Sequence, residues 1–276
     1  MSNADYWEVE PLRELSECVD VYWFYQPDLQ TKLTDILIPE GVIDIVFNFG
    51  APYFRKAVGK TEGEWVTHDV FIGQRTKLYS IEWPINTQLF AIRLRAGAAF
   101  ALLQRPVNEI TDTTLPLAET LLAKLGETLK NIEFENSRQV VKVTNDFLMS
   151  LANSHQATDA TINKVLPYIK RANGDVDVNQ LSNELGLTRR TLERKFAQHI
   201  GVAPKLYCRI QRLHHFLRHY RTNAGLSLTG AANEAQFYDQ SHFIKEFKAF
   251  TGTSPAKFFD SPPEIYEPLL ISLMGR

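Results

Sequence analysis

Apolar and polar positions alternate along "ILIPEGVIDIVFNFG", residues 36–50, where Ile43, Ile45, Phe47 and Phe49 fall on one face after a turn at Pro39–Gly41. A period of two in a β-branched and aromatic run predicts a strand. Further strand candidates at 68–72, 77–83 and 87–95 are separated by Gly, Pro and Asn, so the first hundred residues read as antiparallel β structure, either a small barrel or a sandwich. Beyond residue 100 the period lengthens. Leu117, Leu121, Leu125 and Leu129, then Val140, Val143, Phe147 and Leu151, recur at helical spacing, which predicts two helices that either cover the β structure or form a dimer seam. The polar, patternless stretch 153–159 is the expected linker, and from about residue 160 everything but short turns reads helical. Pro167 is expected to break, kink or begin a helix, because an interior proline costs roughly 3 kcal/mol. The fold class is α+β: an antiparallel β domain with helices over 1–155, then an all-α domain over 160–258.

Within the helical half, a single scaffold occurs twice. "LTRRTLERKFAQHIGVAP" (187–204) and "FYDQSHFIKEFKAFTGTSP" (237–255) share the spacing of an apolar residue, Phe, Gly and Pro, at Leu192, Phe196, Gly201 and Pro204 and again at Phe243, Phe247, Gly252 and Pro255. Each follows a short amphipathic helix, with Val178, Leu181 and Leu185 or Leu228, Ala231 and Ala235 on its inner face. Two short helices on a tight turn, repeated, predict a pair of helix-turn-helix units. If Leu192 and Phe196 point inward, Arg190 and Arg194 project about 200° away from them. Thr188, Arg189 and Glu193 complete the candidate DNA-contacting set of the first unit, and Gln240, Ser241 and Lys245, with Ile244 among them, form that of the second. Arginine grips the O6/N7 edge of guanine with two hydrogen bonds, worth roughly 1–3 kcal/mol of discrimination. Alone, Arg189, Arg190, Arg194 and Lys195 are an ordinary solvated helix face; inside a duplicated scaffold they read as a nucleic-acid surface. Between the units, "KLYCRIQRLHHFLRHYRT" (205–222) reads as one connecting helix of about 16 residues, or about 24 Å, with an apolar seam at Leu206, Ile210, Leu213, Leu217 and Tyr220. Such a spacer sets two reading heads near one DNA turn, about 34 Å apart.

Charge sharpens this division. Residues 1–160 hold 14 Lys/Arg against 22 Asp/Glu, a net −8, and residues 161–276 hold 16 against 10, a net +6. The basic surplus lies with the repeated scaffold, as a nucleic-acid partner requires. Chemistry of other kinds finds little support. His68 is the sole histidine of the first 150 residues, which leaves no His-and-carboxylate set for a metal-dependent reaction, and neither a GxSxG motif nor a reactive cysteine motif occurs. Cys18 and Cys208 stand far apart without a CxxC partner. The expectation is a protein that is not an enzyme, with no cofactor and no metal. The N-terminal "MSNADYWEVEP" is acidic and no run of about 18 apolar residues occurs, so a cytoplasmic location with no membrane partner is expected.

In this double unit, residues 160–258 resemble the DNA-binding domain of the AraC/XylS family of bacterial transcription regulators, and "FYDQSHFIKEFKAFTGTSPAKF" is similar to its signature. One departure is Gln236, at the turn position where that family usually carries Gly. The resemblance of "PEGVIDIVFNFG" and "LFAIRLRAGAAFALLQRPVNEI" to the sensor-like domain of a subgroup of these regulators implies a cupin-like barrel. The resemblance of residues 160–258 implies double-stranded promoter DNA as partner, with a small effector, RNA polymerase and a homodimer as further expectations. For the effector, Asp44 and Asn48 on the polar face of the 43–49 strand, with Trp23 and Trp83 among the early aromatics, are the candidate contacts; core packing is the bland reading of the two tryptophans. The contrasting function class is a ligand-binding module or enzyme whose helical domain docks a protein.

Overall fold

The computed structural model describes residues 6–27, 33–152, 159–223 and 225–260, so the linker expected at 153–159 lies almost wholly outside the described residues. Among those described, the strands are β1 (Tyr6–Val9), β2 (Val19–Tyr25), β3 (Leu33–Leu37), β4 (Ile43–Asn48), β5 (Tyr53–Ala57), β6 (Glu64–Val66), β7 (Val70–Ile72), β8 (Tyr79–Trp83), β9 (Leu89–Leu94) and β10 (Thr114–Pro116). They form a sheet in the order β1-β2-β9-β4-β7-β10 and another in the order β3-β8-β5-β6, with antiparallel pairing throughout. The helices follow as α1 (Ala99–Leu103), α2 (Ala123–Leu129), α3 (Ser137–Ala152), α4 (Ala160–Arg171), α5 (Val178–Glu184), α6 (Arg189–His199), α7 (Pro204–Thr222), α8 (Leu228–Glu234), α9 (Gln240–Thr251) and α10 (Pro255–Asp260). The α+β class holds: antiparallel sheets with helices, then a helical half.

The alternation in β4 decides the layering. Ile43, Ile45 and Phe47, with Tyr22, Phe24, Phe90 and Ile92, pack against residues of α1, α2 and α3. Val46, with Val21, Trp23 and Tyr25, turns to Tyr53, Tyr79, Ile81 and Trp83 of the four-stranded sheet. The larger sheet is thus covered on both faces, and α2 and α3 are among the elements that cover it.

The helical stripe at 117–129 is corrected. Thr120 is extended (φ −129, ψ 173), so residues 117–119 form an isolated 3-10 turn and the helix begins only at Ala123. Leu121, which the spacing assigns to the stripe, is left 38% exposed. In α3 the deepest positions are Val140, Thr144 and Leu148, with Val143, Phe147 and Leu151 half-buried beside them. A hydrogen bond of 2.7 Å from the Tyr22 hydroxyl to Asn145 Oδ1 ties this helix to the sheet. Pro167 neither ends nor starts α4; the helix runs through it. The carbonyl that loses its i+4 donor belongs to Asn163, an exposed residue on the solvent side of α4.

The two halves share their packing. One apolar cluster runs from the space between the sheets through Ile210, Leu213, Phe216 and Leu217 of α7 to Phe243, Phe247 and Phe250 of α9. A second joins α4, α5 and α6 to Tyr207 and Cys208 of α7. Helix α7 is therefore buried on several faces, beyond the one seam read from its sequence, because it supports both units and the sheets together.

Candidate nucleic-acid interface

Both units are built by the same local devices. Asp177 caps α5 by accepting from the backbone N–H of Asn179 at 2.7 Å, and Ser227 caps α8 by accepting from that of Gly230 at 3.0 Å. Thr188 caps α6 through Thr191 N–H at 3.1 Å, and Asp239 caps α9 through His242 N–H at 2.7 Å. Each cap satisfies a donor that the helix start leaves open. The turns match as well: Leu187 N–H donates to Ser182 O at 2.9 Å, and Phe237 N–H to Ala232 O at 3.1 Å.

These turns need a left-handed residue. Gly186 supplies it at φ 65, and Gln236, at the same place in the second unit, is forced to φ 60. The strain expected of a non-glycine residue is present, and the fold tolerates it. A Cβ on Gly186 would meet nothing within 4 Å, so the difference between the turns is conformational alone. Gln236→Gly is expected to raise stability by about 0.5–1 kcal/mol and Gly186→Ala to lower it by about 1 kcal/mol. Thermal unfolding of the two variants checks this, and equal Tm values would refute it.

Leu192 and Phe196 are fully buried, as is Phe247, with Phe243 nearly so, and this fixes which faces of α6 and α9 look outward. Arg190 and Arg194 are exposed, and so are Gln240, Ser241, Ile244 and Lys245. The remaining polar residues divide. Arg189 is exposed but pairs with Glu193 one turn on, Nε to Oε1 at 2.8 Å. Thr188 is spent on its cap. Lys195 leaves the outward face to bind Asp159, the cap of α4. Burial would raise the Asp159 carboxyl, but the bonds from Lys195, Ile162 N–H and Thr161 N–H outweigh it and bring it down to about 2. Two arginines of α7 are also engaged internally: Arg209 Nε lies 2.6 Å from Glu246 Oε2, and Arg212 Nη2 3.1 Å from Asp175 Oδ1. The first unit thus offers two exposed arginines, while the second offers an amide, a hydroxyl, an aliphatic side chain and an amine. Tyr238, 93% exposed just before the cap of α9, escapes a reading of the sequence; its aromatic character suggests core, and only the turn geometry places it outside.

The four effector candidates sit elsewhere. Asp44 lies on the inter-sheet side of β4 opposite Arg93 of β9, which binds its two oxygens at 3.0 Å each, Nε to Oδ1 and Nη2 to Oδ2. Trp23 donates its indole N–H to Asp44 Oδ1 at 3.3 Å, and Trp83 donates to Asp35 Oδ2 at 2.6 Å. Asn48 closes the turn after β4, accepting from Gly50 N–H at 3.0 Å and donating to Ala51 O at 3.2 Å. The structure brings Trp23 and Asp44 together and leaves Asn48 apart, half-buried.

Contacts that no sequence pattern announces join the sheets to the helical half. His214 of α7 is buried and hydrogen-bonds Pro39 O at 2.8 Å. Burial, against the help of that bond, lowers its imidazole to about 4, so it is a neutral donor at ordinary pH. Thr111 donates to Gly201 O at 2.6 Å, and the Phe100 ring lies 4.5 Å from that of His199, at the far end of α6 from its arginines. Both units rest on the N-terminal half with their polar faces turned away from it.

The family described as a helix-turn-helix domain matches residues 181–261. The chain carries an AraC-type helix-turn-helix domain. Residues 7–116 match a domain of unknown function, DUF6597. The transcriptional activator RhaS of Escherichia fergusonii is 30% identical over 110 residues, 38% of this chain and 38% of that protein. The Msm operon regulatory protein of Streptococcus mutans is 29% identical over 151 residues, 53% of this chain and 52% of that protein. The chain thus spans about half or less of the curated relatives it matches. In fold, an apo ToxT variant from Vibrio cholerae is similar at a TM-score of 0.50 and 13% identity, covering 87% of this chain and 97% of that one. Among the described residues no helix is long and apolar enough to cross a membrane.

Proposed function

We propose that this protein is a sequence-specific transcription regulator of the AraC type that binds promoter DNA through both helix-turn-helix units. The observation that carries the reading is the exposed pair Arg190 and Arg194 on α6, held outward by buried Leu192 and Phe196, with a second helix of the same build and different decoration in α9. Helix α7 between them has 19 residues, about 28 Å at 1.5 Å per residue, a spacer suited to heads in successive major grooves. The likeness to RhaS and the Msm regulator supports the same reading. Residues 160–258 are the proposed reading domain and 1–155 the proposed regulatory one. Input through a small effector or a second copy of the chain is transmitted because the second unit packs on the sheets through α7 and α9 while the first rests on α1 and the turn at Thr111, and RNA polymerase is the proposed partner on the promoter.

Two measurements test this. Affinity for duplexes selected from a random-sequence library is expected to fall by roughly a hundredfold or more between 50 and 200 mM salt, because released counterions dominate binding. A nearly flat salt dependence would favour a protein-docking role for the helical half. Arg190→Ala and Arg194→Ala are expected to relax base preference at one half of the selected site, each by about 1–3 kcal/mol. Uniform weakening on every duplex would show that these arginines touch phosphates only.

A further inference from the structure

We infer that Ile244 reads the 5-methyl group of thymine in the half-site bound by the second unit, an inference that rests on the DNA-binding reading above. A lone exposed isoleucine needs no explanation by itself; the place of this one does. It is 39% exposed and belongs to no apolar cluster, while its neighbours Phe243 and Phe247 hold α9 to the core. Around it the outward surface of α9 is polar: Gln240 and Ser241 one turn before, Lys245 beside it and Lys248 one turn after, all exposed.

The first unit shows what this position does when it carries no apolar group. Counted from Phe243 and Leu192, Ile244 corresponds to Glu193 and Gln240 to Arg189. Glu193 pairs with Arg189 at 2.8 Å and so restrains a cation at the head of α6. Isoleucine can make no such bond, so the second head is not the first with its charges rearranged.

Elimination supplies the target. Ile244 has no donor or acceptor, and against a phosphate or a polar base edge it would only strip water from them. Of the groups that the four base pairs of unmodified DNA present in the major groove, the thymine 5-methyl is the apolar one. A side chain on the outward face of a recognition helix, apolar and ringed by polar neighbours, fits that group.

The test replaces thymine by uracil, which removes the methyl and leaves every hydrogen-bonding atom in place. The full chain first selects duplexes from a random-sequence library. The preferred duplex is then remade with each dT changed singly to dU, and Kd is measured for the wild type and for Ile244→Ala. The wild type is expected to lose about fourfold at one or two positions of a single half-site, the worth of one buried methyl. Ile244→Ala should bind the unmodified duplex about as weakly and show no further loss with dU, while its thermal unfolding stays that of the wild type. The inference is overturned if the variant responds to every dU as the wild type does, or if no dT position matters. If no sequence is enriched at all, the DNA-binding reading itself fails. Enrichment with guanine preferences intact and dU without effect sinks the thymine contact alone.

Discussion

Phe247→Ala is expected to lower the free energy of unfolding by about 3–5 kcal/mol, the range for truncating a fully buried phenylalanine to a cavity. Phe247 has no exposed surface. Its ring centroid lies 5.7 Å from that of Phe216, 5.7 Å from Phe243, 5.2 Å from Phe258 and 6.0 Å from Phe259. The first neighbour is on α7, the second one turn away on α9, and the last two on α10, so a hole at Phe247 lies between three helices. None can close it without moving against the others. The loss should therefore sit toward the top of the range, and DNA affinity should fall most at the half-site of the second unit. Ile244→Ala on the exposed side of α9 is the control, expected within about 0.5 kcal/mol of the wild type. Denaturation of both variants settles the comparison; a Phe247→Ala protein within about 1 kcal/mol of the wild type would place the buried face of α9 wrongly.

What the sequence reveals follows from how local its causes are. The repeated spacing is legible because each of its residues answers a local demand: Phe fills a core, Gly201 and Gly252 adopt φ 94 and 75, and Pro204 and Pro255 begin helices. Strands β4, β7, β8 and β9 are legible from alternation and flanking turns. Strand β2 does not stand out, because six of its seven residues, all but Asp20, are buried, on both faces of the sheet, and no alternation survives. Strands β1, β5 and β6 lie at or near sheet edges, and in β5 the charged Arg55 takes a buried position beside Tyr53, so no apolar period shows. The Leu117–Leu129 stripe misleads because equal spacing in sequence says nothing of the extended residue at Thr120. Of the interface, the exposed arginines and the second helix are visible as pattern. The internal pairs that occupy Arg189, Lys195, Arg209 and Arg212 are not, since all but the first depend on residues far apart in the chain.

Asp44→Ala is expected to lower stability by about 3–5 kcal/mol, the loss that follows when one partner of a buried ion pair is removed and its counter-charge left behind. Its place on the polar face of a strand suggests a group that orients a ligand. In the folded protein it holds both Nε and Nη2 of Arg93 at 3.0 Å, and both side chains are less than 10% exposed. Burial works against the charge on Arg93, but Asp44 and Glu40 outweigh it and raise the arginine's affinity for its proton; without Asp44 the guanidinium's own high basicity keeps Arg93 charged. Glu40 is 3.3 Å from Arg93 and also binds Arg75; it would soften the loss without replacing a two-bond partner. If the lost energy is that of an orphaned cation, Asp44→Leu combined with Arg93→Met should recover most of it, since a well-packed apolar pair substitutes for a buried ion pair at little or no loss. Chemical denaturation of the single and double variants separates the two cases. A double variant no better than Asp44→Ala would mean that the carboxylate serves through Trp23, whose indole it also accepts from, and not through Arg93. The loss would not stay within the sheets. Three successive residues carry it outward: Pro39 accepts from His214, Glu40 joins the ion network, and a Cβ on Gly41, at φ 76, would come within 2.9 Å of Gln211 Nε2. Disturbing the charges that fix this turn therefore loosens the seat of α7, the helix on which both helix-turn-helix units depend.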